Sequence, residues 1–270
     1  AGMGNPENWL ILLNSRSLVN SGYMNIRIYK NRQNLGREAA SDAASIIQNA
    51  IRLNGSATII LATGTSQFEV LKYLVEMPGV DWSKVVLFHL DEYIGIPGDH
   101  PASFRRYIQE RVIDKVGPMK AVYLINGQNR NPRKECQRLG KIISTVTVDL
   151  VLAGIGENGH LAFNDPPADF TAEEPFILVT LDRRCRQQQL GEGWFKTLKE
   201  VPGKAITMSI RQIMKSRQVI CAVPDKRKAE AVKNCLEKEV SDQYPASALR
   251  QHPSCTLYLD HDSAALLTNK

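Results

Sequence analysis

The stretch GIGENGHLAFNDP, 154–166, delivers one imidazole, His160, on a backbone loosened by Gly154, Gly156 and Gly159, directly after the apolar run 148–153. Glycine lets a chain take positive φ or approach a ligand closely, and an imidazole can exchange protons near neutral pH. Three other stretches have comparable content. LDEY, 90–93, sets Asp91 and Glu92 after an apolar run, where partial desolvation moves a carboxyl toward a useful range for proton transfer. TGTS places Thr63, Gly64, Thr65 and Ser66 ahead of a helical pattern, where hydroxyls and free N–H groups favour an anion. PDKRK, 224–228, opens a helix whose N-cap reads as Asp225. Cations there run against the helix dipole, an exception that a phosphate-holding lysine would justify. Each stretch also has an ordinary reading: capping hydroxyls, acidic turn residues, a solvated charged face, a structural histidine. The glycine spacing is neither G-x-G-x-x-G nor a Walker loop, so no dinucleotide or P-loop nucleotide is indicated.

The elements that must position these residues follow from hydrophobic patterning. Apolar runs of strand length recur at 58–62, 85–90, 149–153, 205–210, 218–223 and 256–259, and NIRIYKN after Met24 alternates like an opening strand. Several runs are nearly continuous, as in strands covered on both faces. Helical spacing occupies 35–53, 68–77, 104–112 and 225–237 between them. The alternation predicts an α/β domain, a mostly parallel Rossmann-like sheet with helices on both faces. In such sheets ligands lie beyond the carboxyl ends of the strands, and all four stretches fall there.

The chain has 270 residues, 43% of them hydrophobic and 23% charged, with a net charge of +6. That is the composition of a globular domain, and one domain is expected over 24–270. Residues 1–23 read as an N-terminal extension, partly vector-derived, because Ala-Gly precedes Met3 and Met24 offers a second start. No apolar run approaches the roughly 20 residues that span a bilayer. The basic residues are dispersed without a nucleic-acid signature, so neither membrane nor nucleic acid is expected as a partner. The five cysteines are widely spaced, with no C-x-x-C pair. They suggest reduced thiols in a cytoplasmic protein and no zinc site.

Together, LDEYIGIPGDHPASF (90–104), GIGENGHLAFNDP and the helix beginning near Lys228 resemble the glucosamine-6-phosphate deaminase (isomerase) family, related in fold to 6-phosphogluconolactonases. The resemblance runs from about 24 to 267. It implies an aldose-ketose isomerisation with loss of ammonia, converting an amino sugar 6-phosphate, glucosamine 6-phosphate foremost, to fructose 6-phosphate without metal or organic cofactor. His160 matches the histidine that assists ring opening, and Asp91 the carboxylate that moves a proton between neighbouring carbons through an enolamine. Lys228 matches the phosphate-binding lysine, Thr63 to Ser66 the loop around the phosphate, and Gly156 belongs to the same substrate-facing turn.

Three positions depart from the family pattern. Asn158 stands where deaminases have an aspartate, Asp165 where they have a glutamate, and Gln189 where they have the phosphate-binding arginine. Asn158 can orient an imidazole without stabilising its cation by charge, and Asp165 supplies negative charge one methylene shorter. Arg186, three positions before Gln189 and on the same face of a helix, is the expected substitute guanidinium. A lactonase-like sugar-phosphate hydrolase and a non-catalytic sugar-phosphate sensor are the alternatives. A homo-oligomer is left open by the sequence.

Overall fold

The computed structural model describes residues 24–268. The extension expected over 1–23 lies outside the described residues.

Seven parallel strands form the central sheet in the order β1-β10-β9-β6-β2-β3-β5. They are β1 (Asn25–Tyr29), β2 (Ala57–Leu61), β3 (Val85–His89), β5 (Ala121–Tyr123), β6 (Leu150–Ala153), β9 (Gln218–Val223) and β10 (Cys255–Asp260). Side-chain alternation explains why near-continuous apolar sequences form them. On β2 and β6, Ile59, Leu61, Leu150 and Leu152 point into one core. Their neighbours Ile60, Val151 and Ala153 point into the other. The first core is closed by α1 (Arg32–Asn54), α2 (Phe68–Glu76) and the run α3 (Phe104–Ile108), a π turn and α4 (Asp114–Val116). The second core is closed by α5 (Pro132–Ile143), α7 (Ile210–Ile213), α8 (Ala229–Glu237) and the 3-10 turn Pro245–Gln251.

The helix ends follow ordinary capping chemistry. Asn31 accepts from the Asn34 N–H at the start of α1, and Gly55, at φ 75°, closes it in the left-handed region.

The run 205–210 does not join the central sheet as expected. Its strand, β8 (Lys204–Met208), lies in a separate antiparallel sheet of order β4-β8-β7, with β4 (Asp91–Tyr93) and β7 (Phe176–Thr180). The chain leaves β3 at Leu90, whose N–H still bonds Leu61 O at 3.1 Å, while its own carbonyl accepts from Met208 N at 2.7 Å. Leu90 is thus the hinge between two sheets, and Asp91, opposite Thr207, is the first residue of the second one. An aromatic cluster, Tyr93, Phe104, Phe163 and Phe195, fills the space under the small sheet.

The order of the central sheet reverses between β2 and β6. Their carboxyl ends carry the 63–66 loop and the 154–160 loop side by side, which is where an open α/β sheet accommodates a ligand. Gln67 ties this point together, its amide donating to Ala153 O and Ala222 O, each at 3.2 Å.

Candidate active site

A cleft of about 500 Å³ opens at this switch point. Asp91, His160, Gly156, Thr63, Gly64, Ser66, Gln189 and Lys228 all line it. Thr65 does not: it heads a 3-10 turn, and its carbonyl accepts from the Arg32 guanidinium at 2.9 Å.

The two carboxylates of LDEY have separate fates. Glu92 is fully buried and satisfied, accepting from Ser103 Oγ at 2.7 Å and from the backbone N–H groups of Tyr93, Phe104 and Arg105. It therefore caps α3, the ordinary role of an acid at a helix start. Asp91 is 6% exposed and faces the cleft. Burial, reinforced by Glu92, pushes its carboxyl up to about 8. A carboxyl so placed is a stronger base than a solvated one once it has lost its proton.

His160 is held from three sides. Its Nδ1 lies 3.1 Å from Asp165 Oδ1, its backbone N–H donates to Asn158 Oδ1 at 3.1 Å, and its carbonyl accepts from Gly156 N at 3.0 Å. The ring lies flat over Gly156, where a Cβ would fall 2.2 Å from Nε2. Gly159 makes the turn at φ +87°. The following AFN segment is anchored to β8. Asn164 donates to Leu161 O and Met208 O, and Phe163 N donates to Thr207 Oγ1.

Asn158 and Asp165 lie behind the imidazole. The Asn158 amide bridges two carboxylates, donating to Asp165 Oδ1 at 2.9 Å and to Asp182 Oδ2 at 3.3 Å. Burial by itself would raise the Asp165 carboxyl, but bonds from His160, Asn158 and the Asp182 N–H hold it below the usual carboxylate range. The amide type matters, because a third carboxylate at 158 would need a proton to sit between the other two. Asn158→Asp is expected to lose stability relative to wild type as pH rises above about 4, the ordinary range of a carboxyl, by roughly 1–3 kcal/mol. Thermal denaturation of both proteins between about pH 4 and neutrality checks it. Cys185 joins His160 and Asp165 within 4.8 Å. Burial drives its thiol far up, so it stays protonated beside Asp165.

Lys228 is 5% exposed and ends in the cleft at the head of α8. Burial lowers its ammonium, and Glu192 and Glu157 act against that shift. Asp225 does cap the turn before α8, accepting from Arg227 N at 3.0 Å.

Arg186 is not the substitute guanidinium. On α6 (Arg183–Gly191) it turns away from the cleft and donates to Leu198 O at 2.6 Å and Val201 O at 2.9 Å. Three positions is less than a full helical turn of 3.6 residues. The two unsatisfied carbonyls captured the guanidinium instead. Gln189 does reach the cleft, with Oε1 accepting from Tyr93 OH at 2.7 Å.

Sequence reading missed Gln188 and Glu192, which also line the cleft. Their spacing of four positions from each other was the available signal.

The fold is thus a mostly parallel α/β sheet that brings a buried carboxyl, an imidazole and a buried lysine to one cleft at its switch point, and comparison identifies the family. Residues 30–258 match the family described as glucosamine-6-phosphate isomerases/6-phosphogluconolactonase, and this chain belongs to it. A glucosamine-6-phosphate deaminase of Bacillus cereus (strain B4264) is 34% identical over 243 residues, covering 90% of this chain and 89% of the relative. One from Thermoanaerobacter pseudethanolicus is 33% identical over 238 residues, covering 86% and 92%. A solved monomeric glucosamine-6-phosphate deaminase superposes with a TM-score of 0.82 at 29% identity, over 90% of this chain and 100% of that one. The 6-phosphogluconolactonase from Trypanosoma brucei shares the fold, with a TM-score of 0.73 at 18% identity over 92% of this chain and 100% of its own. Among the described residues no helix is long and apolar enough to cross a membrane. All five cysteines are free and buried.

Proposed function

We propose that this protein converts an amino sugar 6-phosphate, glucosamine 6-phosphate first among candidates, to fructose 6-phosphate and ammonia. The observation that carries this reading is that Asp91 and His160, supplied by different sheet segments, open into one cleft that also receives Lys228. The curated relatives that match over most of the chain, glucosamine-6-phosphate deaminases, support it, and a desolvated carboxyl suits proton abstraction from carbon.

In this reading Lys228 and the N–H groups and hydroxyls of Thr63, Gly64 and Ser66 hold the phosphate end of the sugar. His160, oriented by Asp165 and Asn158, moves a proton between the anomeric hydroxyl and the ring oxygen, which opens the pyranose. Asp91 then takes the proton from C2 to give an enolamine and returns it to C1, which leaves an imine at C2. Water adds to that carbon and ammonia leaves, so one water is consumed for each ammonia released. The roles need only proton transfers within hydrogen-bond reach, and no metal or organic cofactor enters them. The reaction is an isomerisation coupled to hydrolysis of a C–N bond.

A coupled assay across glucosamine, galactosamine and mannosamine 6-phosphates tests the proposal. Ammonia and ketose phosphate are expected in equal amounts from at least one of them. Hydrolysis of 6-phosphogluconolactone without ammonia release would replace it with the lactonase reading. Saturable binding without turnover would favour a sensor.

A further inference from the structure

The end of the cleft that faces Lys228 carries two unlike charges. Glu192 follows α6 directly, and its Oε1 accepts from Gln188 Nε2 at 3.1 Å. Its other oxygen, Oε2, is buried and has no hydrogen-bond partner. That oxygen lies 3.5 Å from where a Cβ on Gly64 would stand, so the carboxylate looks onto the 63–66 loop. Lys228 approaches from the head of α8, where the charges of Glu192 and Glu157 act on its ammonium.

Two neighbouring groups are already occupied. Arg227 pairs with Asp225 at 3.0 Å and with Glu157 at 3.5 Å, and the Gln189 carbonyl is taken by Tyr93. The subsite therefore offers several donors, Lys228 and the hydroxyls and N–H groups of the 63–66 loop, and in Glu192 Oε2 a buried acceptor without a partner. A buried acceptor left unpaired is costly, and more so when it is charged. A fully ionised phosphate presents only acceptors. It would satisfy Lys228, leave Glu192 Oε2 unpaired, and set like charges together. A group bearing an O–H accepts from Lys228 and donates to Glu192 at once.

We propose that Glu192 is a specificity-determining residue that accepts a hydrogen bond from an O–H on the end of the substrate held by Lys228, and so selects against a fully ionised phosphate there. The inference rests on the amino sugar reading of the cleft and refines its far end. That O–H has two sources, the P–OH of a singly ionised phosphate ester or the primary alcohol of an unphosphorylated amino sugar. Phosphate monoesters lose their second proton at about pH 6, so the first source is depleted at neutral pH.

The test compares wild type with Glu192→Gln, which keeps the shape and replaces the carboxylate with a donor. Kinetics are measured on glucosamine 6-phosphate and on glucosamine, and calorimetry measures the affinity for glucose 6-phosphate, all at pH 7.5. The variant is expected to lower KM for glucosamine 6-phosphate and Kd for glucose 6-phosphate by about tenfold or more, with kcat within about twofold. Its kcat/KM for glucosamine should not rise. Wild-type turnover of glucosamine identifies the alcohol as the O–H, and turnover of the phosphate ester alone identifies the P–OH. Weaker phosphate-ester binding in the variant, or a change of less than about twofold, overturns the role of Glu192. If neither sugar yields ammonia with either protein, the deaminase reading falls, while the calorimetric ratio still decides for or against Glu192.

Discussion

Asp91→Asn is expected to lose ammonia release by about 10²- to 10⁴-fold while making the folded protein more stable. Both effects come from one placement. The carboxyl sits where β4 begins, 6% exposed, and burial followed by the charge of Glu92 pushes it up to about 8. To act as a base it must first lose its proton, so kcat/KM for the wild type should climb as pH rises through about 8.

The stability effect has a definite sign. In the unfolded chain this carboxyl ionises near its ordinary value of about 4. In the folded protein it keeps its proton up to about 8. The folded state therefore binds the extra proton between those limits, and stability falls as pH rises from one to the other. An amide does not titrate, so the variant escapes this loss. The gain is absent below about pH 4, grows through the window, and reaches on the order of 2–4 kcal/mol by pH 8. For a chain of this size that is roughly 5–15 °C in Tm. Calorimetric melts at pH 4 and pH 8, with ammonia assays on the same samples, check the pair of effects. A rate limb near pH 4 to 5 would mean a well-solvated carboxylate, and an active Asp91→Asn protein would remove this residue from the chemistry.

Gly156→Ala should cost about 10²-fold in kcat/KM, most of it in kcat. A methyl group there would sit 2.2 to 2.3 Å from Nε2, Cδ2 and Cε1 of the His160 ring. The ring has little freedom to retreat, because Asp165 holds Nδ1 at 3.1 Å and the backbone is fixed by the Gly156 to His160 bond at 3.0 Å. The imidazole must be displaced by about an ångström, and such a shift in a reacting group is costly in rate. Overpacking adds about 1–3 kcal/mol of instability. Lys228 and the 63–66 loop are untouched, so KM should move little. Gly203→Ala is the matched control, since nothing lies within 4 Å of its added methyl. Equal rates in the two variants would show that the imidazole position does not matter.

The fold was legible wherever burial on both faces left a continuous apolar run, as in β2, β3, β6, β9 and β10. The three-residue strands β4 and β5 carry too few residues for periodicity to register. The 205–210 run was recognised as a strand and given to the wrong sheet, because a side-chain pattern reports which faces are covered and says nothing of which strand lies alongside. Arg186 failed for a related reason. Helical spacing gave it roughly the direction of Gln189, yet two free carbonyls at Leu198 and Val201 lay close enough to take its guanidinium.

By itself the sequence determined the chemistry carried on short segments. His160 with its glycines, Asp91 after its strand, Lys228 at its helix start and the 63–66 hydroxyls are each specified by neighbours a few residues away. What only the tertiary structure decided is how those groups differ in environment. Glu92 became a helix cap while Asp91 became a desolvated acid, and Glu192 came to oppose Lys228 from a helix far away in the chain. Local residue types fix which groups can ionise or donate. Desolvation and charge pairing depend on what distant segments pack against them, and that is set only when the two sheets meet at Leu90.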